Sequence, residues 1–324
     1  MNLLKSTLPG ILFISIIVTT SIVISSYVLI GSVAIAIITG MLIKQFFPIN
    51  KTFNDGIKFS EKTLLSIAII LLGSTLNINI LNSIDSKTIG LIVALICTSI
   101  LLSLILGKLL KLSNKLSLLL GIGNGICGSS AIAGASQVVD ADENDIGISI
   151  AIINILGAVG IFVVPFMIGL FFKGDFYDQG IIIGSTIQAV GQVTAAGFIM
   201  GDEVGEVATF IKMIRILMLG PVLIILSLLY KQKNKKIDKN SVFSIPLFII
   251  GFFVLFIMTN YHLIPDSLLP YLKMISKYCL LFAMTAIGLN VSIKEIFKTG
   301  YKAVLVSSIT FMIQIILVIY ILSI

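Results

Sequence analysis

Residues 87–109 read KTIGLIVALICTSILLSLILGKL, and no charged side chain stands between Lys87 and Lys108. At about 1.5 Å of rise per residue, a helix of that length crosses a hydrocarbon core of roughly 30 Å. Runs of the same kind recur in both directions, at 9–26, 28–47, 61–79, 87–109, 116–138, 145–172, 178–200, 204–230, 242–260, 268–290 and 300–322. The composition agrees: 57% of the residues are hydrophobic, 11% are charged, and the mean hydropathy is +1.14. A soluble chain carries about 25% charged residues, so lipid rather than water is the solvent expected here. The expected fold is an all-α integral membrane protein of about eleven transmembrane helices. Residues 1–324 read as a single polytopic domain with no soluble domain.

The first run follows Lys5 and has the look of a signal peptide, but it lacks a small-x-small cleavage site and another run follows at once. It is expected to be retained. Cys97, Cys127 and Cys279 each fall inside an apolar run, so no disulfide framework is implied.

A net charge of +7 raises the question of nucleic acid, and the placement of the basic residues answers it. With a cytoplasmic N-terminus, that face receives Lys5; Lys44, Lys51, Lys58 and Lys62; Lys108, Lys111 and Lys115; Lys173; Lys231, Lys233, Lys235, Lys236 and Lys239; and Lys294, Lys298 and Lys302. The other face receives Lys87, Lys273 and Lys277, and the acids Asp140, Asp142, Glu143, Asp145, Asp202, Glu203 and Glu206. This is the positive-inside bias, and it predicts a multi-pass protein of the cytoplasmic membrane with the N-terminus inside and the C-terminus outside. The partners expected are lipid, a small anion and a coupling ion, not nucleic acid; a homo-oligomer is compatible with the sequence.

Four places break the apolar pattern with small and polar residues: GSTLN at 73–77, GIGNGICGSSAIAGA at 121–135, GSTIQAVGQVTAAG at 184–197, and AIGLN at 286–290. Irregular backbone at membrane depth is tolerated only inside protein or beside a wet cavity. The expected breaks are marked by Asn77, Gly125, Gly128, Gly184, Gly288 and Asn290. In the second place, a helix that stops near Gly125 and restarts with a serine as its N-cap would present free N–H groups and a positive dipole end, a ready anion site. Asn124, Ser129 and Ser130 would add donors there. Close packing of a small-xxx-small pair, Gly121 and Gly125, is the competing reading. Gln188 and Gln192 share a helix face in the third place, where substrate contact competes with interhelical hydrogen bonding. LNINI at 76–80 and LNVSI at 289–293 resemble each other, which hints at an internal repeat.

Lys212 and Arg215 stand inside the run 204–230, and each costs about 2.5–3.5 kcal/mol at the centre of a membrane helix. Three residues apart, they share a face with Thr209, and that face suits an oxyanion. The competing reading has the pair bonding helix carbonyls, loop carboxylates or lipid headgroups. An enzyme is not expected. The acidic stretch 140–145 reads as a solvated loop, His262 is the sole histidine, and no phosphate-binding G-x-x-x-x-G-K-[ST] motif occurs. No catalytic residue, metal or cofactor is anticipated.

CGSSAIAGASQVV from Cys127, Pro165, GSTIQAVGQVTAAG, ATFIKMIR with Pro221 after it, and AIGLNVSI follow one another in order over about residues 70–296. In this the chain resembles the YeiH-like family of conserved hypothetical membrane proteins, to which the label of sulfate exporter is attached. That family is distantly similar to the sodium/proton antiporter and bile-acid symporter superfamily, so the resemblance implies crossed discontinuous helices and an inverted repeat of that type. Cys127, Gly128, Ser129 and Ala131 match the family's Cys-Gly motif, and Lys212 and Arg215 its basic motif. One departure stands out: where the family reads Ile-His-Glu-Val-Ala-Gln-Val, this chain has Ile187-Gln188-Ala189-Val190-Gly191-Gln192-Val193. A proton relay through those positions does not carry over.

Together these readings predict a secondary transporter of a small anion, such as sulfate or a related sulfur oxyanion, with Asn124, Ser129, Ser130, Gln188, Gln192, Lys212 and Arg215 at the substrate. The alternatives are a cation-coupled exchanger, of sodium or protons, and a non-transporting scaffold or sensor subunit.

Overall fold

Helix breaks decide how this chain is arranged, and they are visible in a computed structural model that describes residues 2–27, 32–75, 86–230, 247–290 and 300–323. Asn77 lies outside the described residues. The helices are α1 (Asn2–Ser25), α2 (Ser32–Phe46), α3 (Asn54–Phe59), α4 (Leu65–Leu72), α5 (Ser86–Leu109), α6 (Asn114–Gly125), α7 (Ser129–Val139) and α8 (Glu143–Phe171). They continue with α9 (Phe176–Thr186), α10 (Val190–Met200), α11 (Asp202–Leu217), α12 (Leu219–Leu229), α13 (Leu247–Asn260), α14 (Leu269–Asn290) and α15 (Tyr301–Leu322). No strand occurs among the described residues. Among the described residues, six segments are long and apolar enough to cross a membrane: Ser6–Ser25, Ser86–Leu109, Glu143–Phe171, Asp202–Leu229, Asp266–Asn290 and Tyr301–Leu322.

The chain forms two units, one from Met1–Ser83, Phe198–Asp202 and Pro246–Ile293, the other from Ile84–Gly197, Glu203–Ile245 and Lys294–Ile324. In the first, helices approach backbone to backbone at glycines. A Cβ on Gly288 would stand 2.4 Å from the Ile37 carbonyl oxygen of α2, and one on Gly56 would stand 2.4 Å from that of Thr7. Gly288 does not interrupt its helix, contrary to expectation; α14 runs unbroken to Asn290, and the missing side chain serves close packing. Asn290 is the last described residue of α14, and its Nδ2 donates to Glu61 Oε2 at 2.6 Å. Glu61 lies on a π-helical turn, Ser60–Leu64, that joins α3 to α4.

In the second unit, α6 and α7 form a hairpin. Ser113 caps α6, its Oγ accepting from the Leu116 N–H at 3.0 Å, and that same hydroxyl donates to Asp145 Oδ2 at 2.7 Å. Lys115 Nζ donates to the Asp140 carbonyl at 2.5 Å. The start of α6 and the end of α7 therefore lie at one end of the unit. Two collinear halves would hold them about 35 Å apart. Along its length α6 runs antiparallel to α5: a Cβ on Gly107 would meet Ser117, and one on Gly121 would meet Ile100.

α9 and α10 form a second hairpin. Asp175 caps α9, accepting from the Asp178 N–H at 3.0 Å. A Cβ on Gly180 would lie 2.6 Å from Val207 Cβ, and one on Gly197 would lie 2.7 Å from Gly205 Cα. Gly180 and Gly197 thus meet the same two turns of α11, whereas a straight helix would separate them by about 25 Å. The second hairpin opens at the end where α8 finishes, the first at the end where α8 begins.

Runs 116–138 and 178–200, expected to cross, instead turn back. Each is long enough for one crossing or for two half-length helices, and hydropathy does not distinguish these. Lys115 and Asp140, expected on opposite faces, share an end, and Lys173 lies at the other end of α8 from them. The breaks fall at 126–128 and 187–189, so Gly125 closes α6, whereas Gly184 sits inside α9, against the Ala208 carbonyl.

Candidate functional site

The two hairpin tips meet beside the middle of α8. At Gly128 the built Cβ would lie 3.5 Å from Ile153 and 3.6 Å from Gln188 Cβ, and at Gly160 it would lie 3.7 Å from Ile187. The first tip needs a residue with positive φ. Gly128, at φ 73° and ψ −130°, supplies it and is the N-cap of α7, a place expected to hold serine. Ser129 is instead the first helical residue, half-buried, and Ser130 is exposed. Gly128 offers α7 no side-chain cap. Ser130 Oγ lies 2.9 Å from Cys127 Sγ.

The second tip is capped by its own glutamine. Gln192 Oε1 accepts from the Ala189 N–H at 3.1 Å, three residues back, which is half of a capping box, and Gln192 Nε2 donates to the Asn154 carbonyl at 3.0 Å. Gly157 makes room for that amide: a Cβ there would stand 1.8 Å from Gln192 Oε1.

Lys212 and Arg215 reach the tips from α11, and they are 0% and 1% exposed. Lys212 Nζ donates to the carbonyls of Ile126 at 2.6 Å and Ile187 at 2.7 Å. Arg215 donates from Nε to the Gly125 carbonyl at 2.6 Å, from Nη2 to that of Asn124 at 2.5 Å, and from Nη1 to that of Ile187 at 3.2 Å. The last carbonyls of a helix have no partner within it and carry its negative dipole end. Two cations here bind the carboxyl ends of α6 and α9 together. Sequence spacing placed both cations on one face with Thr209, whose hydroxyl lies 3.3 Å from that of Thr194. Among the described residues every hydrogen-bond partner of these two cations is a backbone carbonyl.

Asn124 and Gln188 lie in the same cluster, each 0% exposed. Gln188 Nε2 donates to Asn124 Oδ1 at 2.9 Å, and Asn124 Nδ2 donates to the Ser307 carbonyl at 3.4 Å. Gln188 Oε1 and Ser307 Oγ are buried with no hydrogen-bond partner among the described residues. Of the residues picked out by sequence, Asn124, Gln188, Gln192, Lys212 and Arg215 are brought together here. Ser129 and Ser130 stand at the adjoining start of α7, and Gly288 and Asn290 belong to the other unit. Asn154 and Ser307 had no signal of their own, and the carbonyls of Asn124, Gly125, Ile126 and Ile187 are functional groups that side-chain reading does not reveal.

The sequence pattern of the family described as Conserved hypothetical protein 698 matches residues 9–307. The chain belongs to that family. Among relatives, it is 35% identical over 320 residues to a UPF0324 membrane protein of Agrobacterium fabrum, covering 95% of this chain and 90% of that one. It is 32% identical to the UPF0324 membrane protein of Clostridium perfringens, covering 96% and 94%, and 33% identical to one from Staphylococcus aureus, covering 87% and 85%. The family is thus one of multi-pass membrane proteins, and these names carry no activity.

Proposed function

We propose that this protein is a secondary transporter of a small anion, working by alternating access around the paired hairpin tips, and not an enzyme. The observation that carries the reading is the charge at the tips. With both side chains ionised, two positive charges face two helix carboxyl ends of about −0.5 each, while the two amino ends add about +0.5 each, a surplus of about two positive charges. No carboxylate bonded to either cation offsets it among the described residues. Such a surplus in a low-dielectric interior is costly unless an anion joins it. Sulfate and related sulfur oxyanions are candidate substrates, with Ser129, Ser130 and the amino end of α7 nearest the exposed side.

Gly123, Ile126 and Ala135 of the first hairpin recur as Gly184, Ile187 and Ala196 of the second at one constant offset. Each hairpin is followed by a long helix, Glu143–Phe171 or Asp202–Leu229, and the two hairpins open at opposite ends of α8. We read this as an inverted repeat, the arrangement that lets one site face either side in turn. Counting both hairpins as re-entrant leaves nine crossings in place of eleven. Because both numbers are odd, the N-terminus stays inside, the C-terminus outside, and the lysine bias of the cytoplasmic membrane topology is kept. The test is flux of labelled anions in proteoliposomes. Uptake that Lys212→Met with Arg215→Met abolishes is the expected result, and equal uptake by that double variant removes both cations from the mechanism.

A further inference from the structure

The orientation of three buried amide groups limits what the tips accept. The Ser307 carbonyl can only accept, so the Asn124 amide turns its Nδ2 toward it and its Oδ1 toward Gln188. Gln188 must then spend Nε2 on Asn124, which leaves Oε1 as an acceptor with no donor, at 0% exposure. Flipping either amide would set two acceptors or two donors against each other. The cations beside this chain have donors to spare: Lys212 has three N–H groups and bonds two carbonyls, and Arg215 has five and bonds three. Ser307 Oγ, on the same chain of groups, also lacks a partner.

We infer that the ligand of the tips is a monoanion that keeps one proton, an oxyanion of the hydrogensulfite or bicarbonate kind, whose O–H donates to Gln188 Oε1 while its other oxygens accept from Lys212, Arg215 and the start of α7. This rests on the anion reading above and narrows it. A fully deprotonated anion satisfies the cations and leaves Gln188 orphaned.

The test holds charge constant and varies the proton. Purified protein is titrated calorimetrically with bicarbonate, hydrogensulfite and nitrate, the last a monovalent oxyanion with no O–H. Bicarbonate and hydrogensulfite are expected to bind about ten- to hundredfold more tightly than nitrate, the range one unpaired buried acceptor produces. Gln188→Met should bring that ratio close to one. Because that variant also strips Asn124 of a donor, a second measurement uses the unaltered protein: affinity for total sulfite should rise as pH falls, following the singly protonated species, while nitrate affinity does not. Nitrate binding equal to bicarbonate overturns this inference and leaves the anion reading intact. A preference that survives in Gln188→Met means a resident water only occupies Gln188, and also overturns it. Failure of every anion to bind overturns both.

Discussion

Replacing Arg215 with methionine is the sharpest structural test, because its consequences can be counted. The guanidinium serves three carbonyls, those of Asn124, Gly125 and Ile187, and the last keeps Lys212 when arginine is lost. Two buried carbonyls are left bare. Hydrogen bonds to charged groups contribute about 1.5–3 kcal/mol each, which gives roughly 3–6 kcal/mol lost. Removing a desolvated charge returns part of that, so a net loss of about 3–5 kcal/mol is expected, in line with other broken buried ionic contacts. At roughly 2 °C per kcal/mol for a chain of this size, the unfolding midpoint should fall by about 6–10 °C. The chain has no tryptophan, so the assay is thermal unfolding in detergent followed by a thiol-reactive dye, which reports the exposure of Cys127 and Cys279, with Cys97 replaced by serine because it is already exposed. Arg215→Lys should recover little, since one ammonium cannot reproduce three donors spread over a planar fork. A midpoint within about 1 °C of the parent for Arg215→Met, or full recovery with lysine, would refute the idea that this side chain binds two helix ends together.

Lys212→Met frees only the Ile126 carbonyl, because Arg215 still serves Ile187, and should cost about half as much as Arg215→Met in the same assay. Gly128→Ala forces a side chain into φ 73° and should lower the midpoint by the equivalent of about 1–3 kcal/mol, whereas Gly169→Ala, on an open helix face, should be neutral or slightly stabilising. In a background with all three cysteines replaced by serine, Ser113→Cys with Asp145→Cys should form a disulfide under mild oxidation. A first hairpin that crossed the membrane would keep them apart. Gln192→Leu should lose the cap on Ala189 and the bond to Asn154, at about 1–2 kcal/mol, read as a fall in midpoint.

The membrane class was legible from run length alone, as was the fact that residues 121–135 and 184–197 are special: glycines, serines and glutamines in otherwise apolar helices need a reason. Whether those runs cross or turn back was not legible. Each has the length for one crossing, and hydropathy records depth without direction. The missed clue was local charge. Asp140–Asp145 close the same loop system as Lys108–Lys115, a mixed cluster that a strict alternation of faces pulls apart. Lys212 and Arg215 were found because buried cations are costly, but their partners were backbone carbonyls, which any sequence presents everywhere and which only a helix end leaves open. Gly288 shows the opposite limit: a small residue near an asparagine reads as a break, but here it lets two backbones touch.

The most direct test of the central claim, an anion held by surplus positive charge at the hairpin tips, is thermal unfolding of the purified protein in a matrix of salts. Sodium, potassium and choline are each paired with chloride, nitrate, sulfate and bicarbonate at equal ionic strength. The midpoint should vary with the anion and be indifferent to the cation. A midpoint that follows sodium and ignores the anion would contradict it.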